Sequence, residues 1–407
     1  MDPIQFEIMS LLSVKPLLRF AATSKECQDY LSNEVFIRNQ CQNSLTKEVE
    51  SLIIQEWSWP FGVDTHVWVC FLPETLNICD IPMESKIWLE KNDRRLLASS
   101  NGLLVGTTYG ADEESSKIFI GNPATKMWST IDWPREVKVN KVTYNESDNS
   151  HVCLVCGYGF GMEINNHPID YTLLLFTMHI DIDDSDIWNV GYNVHILTNG
   201  EFIMKHANLH IGHRRLIFDD LVACRDGLYV ISDCGDYLSE RSEFYFPYLF
   251  HYNVKNGTSA FIALPTGAIE YFNTHWPLKF FGWERNPGKS YFESICLASY
   301  HRGILTLWVL DVATEDMQGR NSWREQISID VVQSLSIPSP HLWTNCLCLV
   351  DKTLVFRYGS YIHRYFLHGQ HYGQLEVIST NVRSSSREVR FIPYSTTLRP
   401  CVTDVNE

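Results

Sequence analysis

Three histidines, His206, His210 and His213, fall within the stretch "KHANLHIGH", and at that spacing their imidazoles would converge on a zinc ion if the segment were helical. No cysteine accompanies them and Asp219 is the only nearby carboxylate, so surface histidines in a connection between strand units are the plainer reading. Cys153 and Cys156 in "CLVC" have CxxC spacing, yet they lie inside an apparent strand with no second pair to complete a thiolate site. Packing in a core accounts for them. The run "DIDDSDIW" over 181–188 has the oxygen-rich composition of a calcium loop without the glycine and distal glutamate such a loop needs, and reads as the polar edge of a hairpin. "GYGFG" at 157–161 is glycine-rich but leads into no helix whose first N–H groups could cradle a phosphate. There is no GxSxG elbow, P-loop or HExxH. The sequence therefore commits to no catalysis and requires no cofactor and no metal.

The whole-chain balance narrows the partners. With 407 residues of which 45% are hydrophobic, the chain can bury a large core, either as two or three domains or as one repeat architecture. A formal net charge of -15 does not supply the clustered Lys and Arg that tracking a polyanion demands, which excludes nucleic acid as the expected partner. Asp2 and Glu7 precede the first base, Lys15, and no apolar run approaches a membrane span, so no secretory signal and no membrane contact are expected. The expected location is cytoplasmic or nuclear. In such a reducing compartment the scattered cysteines Cys70, Cys79, Cys153, Cys156, Cys224, Cys296, Cys346 and Cys348 serve as small core hydrophobes.

Two kinds of element divide the chain. Residues 4–38 hold three helix-sized pieces: Ile4, Ile8, Leu11 and Leu12 recur at helical spacing, Pro16 suits the first turn of a second helix, and Thr23 to Glu26 fits a capping box opening a third. Apolar residues occupy more than one face of each, more than three short helices can bury among themselves. From about residue 51 the pattern becomes short strands punctuated by Gly, Asn, Asp and Pro. "LLASSNGLLVGTTYG" and "KIFIGNPATKMWSTI" form two hairpins; the same grammar returns in "LVACRDGLYVIS" with "LFHYNVKNGTSAFIAL" and in "CLCLVDKTLVFR" with "IHRYFLHGQHYGQLEVI". "VTYNESDNSHVCLVCGY" with "YTLLLFTMHI", and "FFGWERNPGKSYFESICLAS" with "GILTLWVLDVA", complete five four-stranded meanders. A sixth unit assembles from "SLIIQEW", "HVWVCFL" and "TLNICDI" near 51–81, closed by "EVRFIPY" at 388–394. The expected fold is mainly β: a small three-helix module followed by a six-bladed β-propeller closed by the N- and C-terminal strands of the domain, with a pair of β-sandwiches as the alternative. The expected boundaries are 1–42 for the module, 43–60 for a linker and first strand, 51–400 for the propeller and 401–407 for a tail.

In such a meander the first and third turns of each blade share one face of the disc. These read as short ("SSNG", "NPAT", "RDG", "VKNG"), whereas 109–116, 158–170, 197–218, 234–247 and 266–277 read as long segments on the other face. Their mixed acidic and aromatic composition suits a protein ligand, with Tyr109, Asp112, Glu113, Glu163, Asp170, Tyr237, Glu240, Arg241 and Phe244 as candidate contacts.

The opening stretch, "EIMSLLSV" followed by "KPLLRF" and "TSKECQDYLSNEVFI", resembles an F-box, and "SSNGLLVG" with "IFIGNPATKMWSTIDWP" resembles the F-box-associated, kelch-like propeller domain of plant proteins. The likeness spans nearly the whole chain, most specifically its first half. It departs from the family at Ser13, where a Pro is usual, at Cys27, where a Trp is usual, and at Met1, which stands about where a Leu-Pro pair would lie. The resemblance implies a non-catalytic substrate-recognition subunit of an SCF-type ubiquitin ligase. On it, Ile8, Leu11, Leu12, Val14, Leu17, Leu18 and Phe20 divide between the module's own core and a surface that docks a Skp-type adaptor, and the elaborated propeller face holds a protein substrate. The alternative is a propeller scaffold or small-ligand binder whose helical module no longer docks.

Overall fold

The computed structural model describes residues 3–45, 51–58, 66–71, 89, 94–100, 102–108, 117–134, 158–163, 172–182, 188–198, 200–211, 214–224, 227–233, 246–269, 278–283, 292, 294–301, 303–311, 323–330, 347–350, 353–358, 361–379 and 387–401. Four helices lead them, where three were expected: α1 (Pro3–Ser10), α2 (Val14–Thr23), α3 (Lys25–Leu31) and α4 (Glu34–Leu45). Pro16 lies in the first turn of α2, where its missing N–H costs nothing. The expected capping box does not form. Ser24, not Thr23, is the N-cap of α3 and makes no side-chain cap bond, while the Thr23 hydroxyl donates back to the Phe20 carbonyl at 2.8 Å. The sequence has no signal separating α3 from α4 except Ser32 and Asn33, and the Asn33 side chain supplies the cap by accepting the Phe36 N–H at 3.1 Å.

The rest of the described chain is a β-propeller. The first blade runs β3 (Arg94–Ser100), β4 (Leu103–Thr108), β5 (Lys117–Asn122) and β6 (Met127–Ile131), and the second β7 (Tyr158–Glu163), β8 (Thr172–Ile182), β9 (Trp188–Thr198) and β10 (Glu201–His210). A third holds β11 (Arg215–Cys224), β12 (Gly227–Asp233), β13 (Tyr248–Asn253) and β14 (Ser259–Ala263), followed by the one-turn α5 (Thr266–Ile269). The fourth is β15 (Lys279–Gly282), β16 (Ser294–His301), β17 (Ile304–Asp311) and β18 (Trp323–Asp330), and the fifth β19 (Leu347–Val350), β20 (Thr353–Tyr358), β21 (Tyr361–Phe366) and β22 (Leu375–Ser379). Each is an antiparallel meander in sequence order.

Five complete four-stranded blades are described, not the expected six. The remaining sheet has three strands in the order β2 (His66–Phe71), β1 (Ser51–Ser58), β23 (Arg387–Tyr394), and the segment assigned to its fourth strand, 75–81, lies outside the described residues. β1 and β23 pair from Ser51 opposite Tyr394 to Ser58 opposite Arg387, so strands from both ends of the domain share one sheet. The inner strands contact one another in a ring: β3 lies on β7, then β11, β15, β19 and β23 follow in turn, and β23 returns to β3.

Burial follows position within a blade. The second strand of the fourth blade, β16, is covered on both faces, with seven of its eight residues buried, and accordingly reads as apolar without a break from Ile295 to Ala298. Between the closing sheet and the first blade, Ile53, Ile392 and Tyr394 pack on Leu96, Leu104 and Phe119. A buried polar side chain crosses that seam. Gln55 of β1 is fully buried; its amide donates to the Arg94 carbonyl at 3.1 Å and its carbonyl accepts the Leu96 N–H at 2.9 Å, next to the bulge between Leu96 and Ala98. Gln55→Leu should therefore lower stability by about 2–3 kcal/mol, because two buried backbone groups lose their partner. Urea unfolding checks this, and a change within about 0.5 kcal/mol would refute the role.

The two faces of the disc are less distinct than expected. The first and third turns are indeed short in the first and third blades, but those of the fourth blade, 283–293 and 312–322, are long, as are 164–171 in the second and 367–374 in the fifth. Two segments read as long loops contain strands instead: 158–170 opens with β7, and 197–218 is largely β10 and the start of β11, joined across 211–214. Among the described residues the second blade begins at Tyr158, and the hairpin read from 142 onward lies outside them up to Gly157.

Candidate functional site

The helical module closes around aromatic rings. Phe6 meets Phe36 edge-on at 5.2 Å and Tyr30 at 6.1 Å, with Met9, Leu12, Leu31 and Ile37 packed around them. The Asn43 amide donates to the Ser10 hydroxyl at 2.9 Å, and that hydroxyl donates to the Glu7 carbonyl, tying α4 to the end of α1. Val14, Leu17 and Phe36 are buried completely, in one cluster with Ala124 of the "NPAT" turn and Leu398. The module thus sits directly on the propeller.

Of the seven residues expected to divide between core and docking surface, the structure buries Val14 and Leu17, half-buries Leu12, and exposes Ile8 (56%), Leu11 (50%), Leu18 (39%) and Phe20 (48%). Ile4, at 64%, joins them and was not among the seven. Its i, i+4 spacing with Ile8, and Leu11 three residues on, was the available signal. The logic on α1 is simple: Phe6, Met9 and Ser10 face inward, so Ile4, Ile8 and Leu11 form a stripe on the outer side. On α2, Leu18 and Phe20 flank the buried Leu17 on opposite sides, about 100° and 60° away around the helix, and cannot both belong to one narrow face. Val35 of α4 is also exposed.

Of the expected substrate contacts, Glu163 is among the described residues. Tyr109, Asp112, Glu113, Asp170, Tyr237, Glu240, Arg241 and Phe244 lie outside the described residues; Glu163 ends β7, with its backbone opposite Thr172. The chemistry-bearing motifs resolve as follows. The histidine stretch is the strand β10, interrupted by irregularities on either side of His206, and His206 packs edge-on against Tyr252 at 5.9 Å; His213 lies outside the described residues. Neither the helix that zinc binding would need nor the expected connecting loop is there. Cys153 and Cys156 also lie outside, while "GYGFG" runs into β7 and "DIDDSDIW" spans the end of β8 and start of β9, where Ile182 pairs with Trp188. Among the described residues no three His, Cys, Asp or Glu gather as metal ligands, and no helix is long and apolar enough to cross a membrane. Cys224, Cys296 and Cys348 are buried thiols outside any disulfide.

One buried histidine gives the propeller a pH dependence. His363 of β21 stacks on Phe356 at 5.5 Å, and burial lowers its pKa below the ordinary 6.5. The folded state then prefers the neutral ring, so its contribution is complete above pH 6.5 and is lost as pH falls from there through the lower folded value. Thermal midpoints measured from pH 8 to 5 should decline on the acid side, and His363→Phe should flatten that decline; an unchanged slope in the variant would exclude His363 as its source.

No family model matches the chain, and no curated protein matches it in sequence. Among solved structures it is similar to the β-propeller domain of the Trilobed protease from Pyrococcus furiosus, with 10% identity, a TM-score of 0.35 and 82% of each chain covered. It is also similar to the polysaccharide lyase Uly1 (8% identity, TM-score 0.34, 74% of this chain and 58% of that one). A third is the acylaminoacyl peptidase of Pyrococcus horikoshii (9% identity, TM-score 0.37, 81% and 50%). The chain spans about half the length of the latter two. These likenesses are too distant to carry an argument about what this chain does, and the propeller arrangement rests on its own strand pairing.

Proposed function

We propose that this chain is a substrate-recruiting subunit of an SCF-type ubiquitin ligase, in which the helical module docks a Skp-type adaptor and the propeller holds a protein substrate. It carries no catalytic residues of its own and acts by raising the concentration of substrate near the enzyme that modifies it. The observation that carries the reading is the outer stripe of α1. Ile4, Ile8 and Leu11 are half or more exposed although Phe6 and Met9 on the same helix already fill the module's core. A helix apolar on two sides, outside a membrane, fits a second protein against its outer side. The resemblance of residues 7–37 to an F-box names that protein as a Skp-type adaptor.

The test is affinity purification of the full chain with a Skp-type adaptor, compared with a chain lacking α1. Capture by the first and not the second supports docking through this surface. Equal capture by both would place the contact elsewhere, and no capture by the intact chain would leave a propeller interaction scaffold working outside any ligase.

A further inference from the structure

The segment after the last strand of the propeller, residues 395–401, runs between the helical module and the first blade. Asn122, at the end of β5, is fully buried. Its amide donates to the carbonyls of Thr397 at 2.9 Å and Arg399 at 2.8 Å, while its side-chain carbonyl accepts the Ala124 N–H at 3.0 Å. From the other side Gln40 of α4, also fully buried, accepts the Leu398 N–H at 3.0 Å and donates to the Leu12 carbonyl and the Ser44 hydroxyl. Consecutive backbone groups of one short segment are thus held by the propeller and by the module.

Side chains complete the seat. Leu398 enters the module's own cluster beside Val14, Leu17 and Phe36, whereas Cys401 enters the first-blade cluster with Leu103, Val105 and Ile120. Arg399 is fully buried against Cys41 of α4; burial pushes that thiol up to about 11, with the guanidinium opposing. Gly102 crosses beneath at φ +83°, and a Cβ there would stand 2.1 Å from the Thr397 hydroxyl, so the β3–β4 turn admits the segment only as glycine.

We propose that residues 395–401 are a strap that completes the fold of the helical module, so that the module's outer surface becomes competent to dock only after every blade has been made and the ring closed. The module is too small to hold itself: its described helices cover 3–45, and part of its core comes from Ala124 and Leu398. The strap residues follow all the blades in the chain, while the helices they complete precede them. A chain broken off within the propeller would present the same N-terminal residues without a formed docking face. The docking part of this inference rests on the function proposed above; the folding part does not.

The experiment is amide hydrogen exchange on the full chain carrying Leu398→Asp or, separately, Leu398→Ala. Exchange in α2 and α4 should rise about tenfold or more in either variant while β12 and β16 keep their protection. Unchanged protection of α2 and α4 in a Leu398→Asp chain with an intact propeller would overturn the strap. Should that variant unfold throughout, Leu398→Ala decides, since it trims the strap without placing a charge in the seam and leaves the module's own hydrogen bonds intact: faster exchange in α2 supports the strap and unchanged exchange overturns it. Adaptor capture by the unaltered chain is read separately, so that its failure removes the docking claim and leaves the folding claim standing.

Discussion

The double variant Ile8→Asp, Leu11→Asp should lose about a thousandfold in affinity for a Skp-type adaptor while its thermal midpoint stays that of the parent. Each side chain is at least half exposed, and burying a large aliphatic group at an interface is worth about 2 kcal/mol, so two removed together approach 4 kcal/mol. The same exposure explains the unchanged fold, since substitutions outside the core stay within about 0.5 kcal/mol. Leu17→Asp is the informative contrast. Leu17 is fully buried between module and propeller, so an aspartate there would disorder the helices and abolish capture for a different reason, visible as lost helical protection. Calorimetric titration against purified adaptor reads the first effect. Full affinity in the double variant would show that α1 does not face the partner.

The second large effect is expected at Asn122. Asn122→Ala leaves two buried carbonyls and one buried N–H without their partner, and at about 1–3 kcal/mol for each unsatisfied group the loss should reach about 3–5 kcal/mol. Asn122→Asp distinguishes this account from simple loss of volume. It keeps size and the acceptor for Ala124, but directs a carboxylate at two carbonyl oxygens, and should be no more stable than alanine. Urea denaturation followed by far-ultraviolet circular dichroism measures both, and an aspartate variant as stable as the parent would exclude the bonding scheme.

What the sequence disclosed tracks how much apolar surface each element buries. The central strands are legible because both faces are covered: "SICLASYH" and "LYVIS" announce β16 and β12 without help. Outer strands are not. β18, "WREQISID", alternates with solvent and has one buried residue, so its pattern is scarcely distinguishable from a polar loop, and β10 hid within a stretch chosen for its histidines. The apolar excess of the first helices was readable, whereas its division was not: periodicity alone could not say that Val14 and Leu17 turn toward the propeller and Ile8 and Leu11 away from it. The strap was invisible for a further reason. Its seat rests on hydrogen bonds from Gln40 and Asn122, residues 82 positions apart in the chain, and no local pattern encodes a contact of that kind.

The antiparallel pairing of β1 with β23 sets how the ring yields to a load. Ser51 and Tyr394, where the chain enters β1 and leaves β23, are opposite each other at the same end of the ladder. Tension applied through the helices and the residues beyond Tyr394 first lifts the strap. It then parts the rungs in succession from Ser51 toward Ser58, peeling the seam open bond by bond instead of shearing it all at once.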